Sequence, residues 1–183
     1  PELWVRINPL DEGGLLDLAA IVRASPDGIM LPKAEGPRDV ARLGHCLDVL
    51  EIRDGATKSA RILPVATETA RPIFQLGAYA EQPSPRLYGL TWGAEDLATA
   101  IGASTNKGED GRFAFTYQIV RAHCLLAAKA AGIEAVETLH SDFRDEAGLR
   151  AFCARARQEG FTGQMAIHPA QVGPINEGFM PTR

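Results

Sequence analysis

Cysteine is scarce in this sequence, which contains only Cys46, Cys124 and Cys153. An odd number of widely spaced cysteines provides neither a disulfide framework nor the paired thiols of a zinc site. We therefore expect reduced cysteines packed within helices, and a reducing cytoplasm as the compartment.

Long apolar runs, blocks of like charge and glycine-rich phosphate motifs are also missing. No apolar run approaches the roughly 20 residues that span a bilayer, and the opening PELWVRINP lacks the basic start and apolar segment of a signal peptide. A net charge of −4 without a block of one sign gives no reason to expect nucleic acid or a membrane as a partner. The absence of GxGxxG, a Walker loop and a serine elbow argues against the enzyme classes that use them.

What the sequence does contain is a regular alternation of short apolar runs and longer helix-like stretches. The predicted strands are Leu3–Asn8, Gly28–Pro32, Arg61–Ala66, Arg86–Trp92, Ala135–Leu139 and Gly163–Ile167. The predicted helices are Leu15–Arg23, Pro37–Ile52, Ala70–Ala80, Asp96–Ile101, Phe115–Ala131 and Glu146–Gln158. This alternation predicts an α/β fold with a parallel sheet, and both a doubly wound sheet and a barrel fit it. Because the chain begins directly on a strand, we expect that an N-terminal part of the fold is missing from it.

Charged residues stand where the predicted strands end, and active sites of parallel β/α proteins form at those ends. Glu68 follows the third strand and Asp96 follows the fourth. Two converging carboxylates would suit Mg²⁺ or Mn²⁺ and leave coordination positions for substrate oxygens. The alternative is that each carboxylate caps the helix that follows it.

Arg6 lies within the first strand, between Val5 and Ile7. Strand alternation places Arg6 on the face opposite these two residues, which is the interior in a barrel. A buried guanidinium needs an anion, so we expect it to pair with the carboxylates or with a substrate anion. A structural salt bridge is the alternative, and the same structural interpretation is favoured for His168 at the end of the last strand.

Several motifs resemble the citrate lyase β-subunit-like family of the HpcH/HpaI aldolase superfamily. In family order they are Val5–Pro9, Gly28–Glu35, Glu68–Phe74, Trp92–Ala103, His140–Asp145 and Gly160–Asn176, followed by INEGFMPT at 175–182. Each motif alone is weakly specific, whereas their common order along almost the whole chain is specific.

The resemblance implies a (β/α)₈ TIM-type barrel of which residues 1–183 form one partial domain, starting at about the third strand. It implies that Arg6 binds substrate, that Glu68 and Asp96 bind Mg²⁺ with Mn²⁺ as a possible substitute, and that all three are catalytic, with Glu68 also contacting substrate. The implied activity is carbon–carbon cleavage of a 3-hydroxyacyl-coenzyme A thioester of the citryl, malyl or citramalyl type, through a metal-stabilised enolate. Acyl-coenzyme A or oxo-acid substrates and a homo-oligomer are implied as partners.

Three positions depart from the family pattern: Pro72 replaces a usual glycine, Glu137 a common aspartate and His140 a common tyrosine. The chain also stops at Arg183, where relatives often continue into a lid that carries an acid/base residue, so no general base is assigned. The alternatives to a lyase are a thioesterase or aldolase of the same superfamily, and a catalytically silent metal-binding barrel that acts as a subunit or regulator.

Overall fold

A computed structural model describes residues 2–180. The strands, in chain order, are β1 (Trp4–Arg6), β2 (Gly28–Leu31), β3 (Arg61–Pro64), β4 (Gly89–Thr91), β5 (Glu134–Glu137) and β6 (Gly163–Gln164). The helices are α1 (Glu12–Ile21), α2 (Pro37–Asp54), α3 (Ala70–Ile73), α4 (Ala78–Glu81), α5 (Ala94–Ala100), α6 (Phe115–Ala130), α7 (Glu146–Glu159) and α8 (Pro169–Phe179), with a 3₁₀ turn at Val22–Ala24. All six predicted strands are present, each shorter than expected.

The strands pair in parallel and in chain order, as two three-stranded sheets, β1-β2-β3 and β4-β5-β6. Parallel bridges between Ile62 and Leu87 and between Val65 and Thr91 join the two sheets. Sequential order is the arrangement that a barrel requires, and it differs from the reversed order of a doubly wound sheet. Within residues 2–180 the sheet does not close, because β1 and β6 are not paired with each other. A complete barrel therefore stays a prediction.

The core lies where helices cover the sheet, and it is built from residues whose spacing matches each element. The central strands are nearly continuous apolar runs, as expected for strands covered on both faces. Helix α6 buries one side through Tyr117, Val120, Cys124, Ala127 and Ala128, which recur at intervals of three or four residues along most of the helix. These packed elements fix the strand ends from which the polar residues emerge.

One helix prediction was wrong in detail, and one helix was missed. The single helix predicted over Ala70–Ala80 is two short helices, α3 and α4, with turns at 74–77 between them. Helix α8 was not predicted, although His168 caps its first turn by accepting a hydrogen bond from the Ala170 N–H at 3.1 Å. Within the described residues, no helix is long and apolar enough to cross a membrane.

Candidate active site

Glu68 is the centre of the cluster at the carboxyl ends of the first four strands. It lies just beyond β3 and is 4% exposed. Its Oε2 accepts a hydrogen bond from the Lys33 N–H, which comes from the end of β2. Its Oε1 lies 3.7 Å from a terminal guanidinium nitrogen of Arg6, at the end of β1. Three adjacent strands thus converge on one buried carboxylate.

The backbone after β4 is fitted closely against Glu68. A Cβ at Gly93 would lie 2.7 Å from Glu68 Cγ, so a side chain at this position would displace the glutamate. The Gly93 N–H donates to Thr67 Oγ1 at 3.2 Å, which ties the segment after β4 to the residue before Glu68. These contacts set the position of the first turn of α5, where Asp96 lies.

Asp96 completes the acidic pair. Its carboxylate is close enough to Glu68 to raise the pKa of that group, and its Oδ1 lies 3.9 Å from Lys33 Nζ. Neither carboxylate caps its neighbouring helix: the caps of α3 and α5 are Thr69 and Gly93, which make no side-chain cap hydrogen bond. The capping alternative was therefore wrong.

The electrostatics of Glu68 follow from this crowding. Burial, and after it the adjacent Asp96 carboxylate, raises the pKa of Glu68 from 4.5 to about 7, whereas the Lys33 N–H and Arg6 act in the opposite direction. A buried carboxyl next to a second carboxyl cannot ionise freely unless a cation joins the pair.

The donor set fits a magnesium ion. Mg²⁺ is usually held by one or two protein carboxylates, with waters and substrate oxygens completing an octahedron. Within the part of the chain that the structure describes, no group of three or more His, Cys, Asp or Glu side chains could hold a metal. Glu68 and Asp96 would therefore supply two ligands and leave the other positions open.

A cavity of about 410 Å³ opens beside the acidic pair, a size suited to a small ligand. Arg6, Glu68 and Asp96 line it, and Thr138, Leu139 and residues 165–167 form another part of its wall. A second cavity, of about 380 Å³, also borders Arg6 and Asp96 and extends past Lys33. The Arg6 guanidinium and the Asp96 carboxylate therefore border both cavities.

The other polar strand-end residues have structural contacts. His140 Nε2 lies 3.3 Å from Asp145 Oδ2, at the start of α7, rather than beside the acidic pair. His168 caps α8 and stacks on Phe143 at a ring distance of 4.5 Å. Lys33 was not among the predicted site residues, since no sequence signal predicts that its backbone N–H contacts Glu68.

The fold and the site together define a parallel α/β protein with a candidate divalent-metal site at the carboxyl ends of its strands. The chain belongs to the HpcH/HpaI aldolase/citrate lyase family, whose model matches residues 1–169.

Relatives in this family include proteins with different activities. The chain is 35% identical to citrate lyase subunit beta of Haemophilus influenzae, over all of this chain and 61% of that protein. It is also 35% identical to a (3S)-malyl-CoA thioesterase of Cereibacter sphaeroides, over 97% of this chain and 56% of that protein. The chain thus spans less than two thirds of the length of these curated relatives.

A solved structure of the citrate lyase beta subunit of Mycobacterium tuberculosis, in complex with oxaloacetate and magnesium, superposes with a TM-score of 0.79. Its sequence is 31% identical, and the match covers 97% of this chain and 73% of that one.

Proposed function

We propose that this chain carries the Mg²⁺ site of a carbon–carbon lyase that cleaves a 3-hydroxyacyl-coenzyme A thioester, and that it forms part of a (β/α)₈ barrel. The observation that carries the proposal is the buried Glu68 carboxylate, paired with Asp96 and facing Arg6 beside a cavity. Membership of the family and the magnesium complex of the M. tuberculosis relative support it.

The reaction breaks the C2–C3 bond of the acyl group. The C3 hydroxyl loses its proton and becomes the carbonyl of the released oxo acid, and the bonding electron pair stays on the thioester as an enolate that is then protonated at C2. Glu68 and Asp96 would hold Mg²⁺, which when bound would supply Lewis-acid stabilisation of the negative charge that develops on oxygen.

Arg6 has a separate part in this proposal. Its side chain is 59% exposed and lines both cavities, so its guanidinium is accessible to a ligand as well as close to Glu68. A planar guanidinium can bind a carboxylate through two parallel hydrogen bonds, which would orient the oxo-acid half of the substrate.

The first prediction tests the metal ligands in the intact protein. We expect Glu68→Gln and Asp96→Asn each to weaken Mg²⁺ binding at least tenfold and to abolish turnover of malyl-, citramalyl- or citryl-coenzyme A. Each substitution keeps the side-chain shape but removes the charge that holds a hard cation. Calorimetry measures the affinity, and product formation measures turnover.

Glu95 provides a matched control, because it also lines the larger cavity and precedes Asp96 directly. Glu95→Gln removes the same charge at a neighbouring position. It should leave Mg²⁺ affinity within about threefold, because Glu95 is not a proposed metal ligand. Equal losses in Glu95→Gln and Asp96→Asn would mean that the effect is one of general charge rather than of ligation.

A thioesterase is the second candidate, because the C. sphaeroides relative carries that name at 35% identity. The products distinguish the two: a lyase converts malyl-coenzyme A to an oxo acid and acetyl-coenzyme A, whereas a thioesterase releases malate and the free thiol of coenzyme A. Mg²⁺ binding without either product would favour the catalytically silent alternative.

A further inference from the structure

Lys33 has a backbone conformation that lysine rarely adopts. It follows β2 and Pro32, and its φ is +52°, in the left-handed region. Among the described residues, Ser25 (φ +48°) is the other non-glycine residue with a positive φ. Left-handed backbone is unfavourable for side chains with a Cβ, so it persists where surrounding contacts impose it.

Both the backbone N–H and the side-chain ammonium of Lys33 face the acidic pair. Its N–H donates to Glu68 Oε2, and its Nζ lies 3.9 Å from Asp96 Oδ1 with the lysine side chain half exposed. The main-chain bond is made to a buried acceptor, whereas the ammonium is on the solvent side, along the second cavity.

We propose that Lys33 is a positioning residue of this site, whose left-handed backbone holds Glu68 in the orientation that binds a divalent cation. The inference rests on the proposed function. The N–H fixes one oxygen of Glu68 and leaves the other directed toward Arg6. The ammonium balances the charge of Asp96 while no divalent cation is bound and is displaced by one.

The two roles can be separated by substitutions that differ in their tolerance of a positive φ. Lys33→Gly and Lys33→Asn remove the ammonium but accept the left-handed backbone, so the N–H stays at Glu68. Lys33→Val also removes the ammonium, but its β-branched side chain is a poor fit for that backbone and should shift the N–H.

We expect Lys33→Gly and Lys33→Asn to bind Mg²⁺ with unchanged affinity or up to about fivefold more tightly, because a half-exposed competing cation is removed. Lys33→Val should bind at least tenfold more weakly, which is the usual cost of disturbing a group that orients a metal ligand. Calorimetry with Mg²⁺, and paramagnetic resonance with Mn²⁺, measure these affinities in the intact protein.

Ser25→Val is the matched control for backbone strain. It places the same side chain at a similar φ, but Ser25 follows the 3₁₀ turn before β2, at the opposite end of that strand from Lys33. It should destabilise the protein much as Lys33→Val does and leave Mg²⁺ affinity unchanged. Equal Mg²⁺ affinity in Lys33→Val and Lys33→Gly would overturn the proposal.

A measurement without metal separates failure of this proposal from failure of the proposed function. If the unaltered protein binds no Mg²⁺, the proposed function is wrong, but a double-mutant cycle on unfolding free energy still tests Lys33. The stability difference between Lys33→Gly and Lys33→Val should shrink when Glu68 is changed to Ala, because the hydrogen bond is then absent from both variants. An unchanged difference would show that the backbone of Lys33 does not act through Glu68.

Discussion

The burial of one side chain, Glu68, sets the pH range in which the site can bind a cation. With its pKa raised to about 7, the carboxyl group keeps a proton at mildly acidic pH. A raised acid pKa stabilises the metal-free folded protein below pH 4.5, and this contribution is lost as the pH rises through about 7. A cation that binds Glu68 must displace this proton.

We therefore predict that Mg²⁺ affinity falls about tenfold per pH unit below pH 7 and levels off above it. Titration calorimetry between pH 5.5 and 8.5, in two buffers of different ionisation enthalpy, would measure the affinity and the proton released together. An affinity that stays flat across this range would show that Glu68 is already ionised in the metal-free protein.

Arg6 gives a second prediction at the level of one side chain. Arg6→Lys keeps the positive charge near Glu68 but loses the planar pair of donors. We expect Mg²⁺ affinity to stay within about threefold, and kcat/KM for the thioester substrate to fall at least tenfold, mainly through kcat. Unchanged turnover would assign Arg6 to a structural salt bridge instead.

At the scale of secondary-structure elements, Glu137 connects segments that are far apart in the sequence. This fully buried carboxylate at the end of β5 accepts hydrogen bonds from Trp92 Nε1 at 2.5 Å, Arg121 Nε at 2.6 Å and the Thr138 N–H at 2.9 Å. It thereby joins the segment after β4, helix α6 and the wall of the larger cavity. Glu137, which stands where the family commonly has aspartate, thus has a defined set of hydrogen-bond partners.

We predict that Glu137→Ala lowers the free energy of unfolding by about 3 kcal/mol, because the mostly buried Arg121 guanidinium loses one carboxylate partner and keeps Glu159. Chemical denaturation would measure the change, and the emission of Trp92 would report the loss of its partner. Glu177→Ala, which breaks an exposed pair with Arg150, should cost less than about 1 kcal/mol. Equal losses would contradict the structural role of Glu137.

The elements differ in how far their sequence determines them. The six strands were predictable because buried parallel strands are apolar runs bounded by turn residues. The break between α3 and α4 and the start of α8 were missed, since prolines inside both segments (Pro72 and Pro174) obscure the helical pattern. Proximity of Arg6 and Glu68 could be predicted from strand ends, whereas the left-handed backbone of Lys33 could not, because it depends on contacts from three strands.

At the scale of the whole molecule, the outer edge of β1 decides between an open sheet and a closed barrel. The Ile7 N–H donates to the Met30 carbonyl of β2 at 3.3 Å. Strand alternation therefore turns the Arg6 N–H to the other edge, away from β2. An uncovered parallel edge invites association with other chains, and barrels avoid it by closure.

We predict that the Arg6 amide exchanges with solvent deuterium as slowly as the Met30 amide in the intact protein, because in the proposed barrel another strand pairs with this edge. Residue-resolved hydrogen exchange would measure both rates under the same conditions. An Arg6 amide that exchanges orders of magnitude faster would mean that this edge of the sheet is open to water.

The sequential strand order also has a consequence for the order of events during synthesis. Each strand lies next to the strand made just before it, so both partners of a pairing exist as soon as the later strand has been translated. Arg6, Glu68 and Asp96 all belong to the first four units, whereas residues 138–139 and 165–167, which wall the larger cavity, are translated later. The residues of the acidic pair are therefore made before those of the enclosure that would retain a substrate.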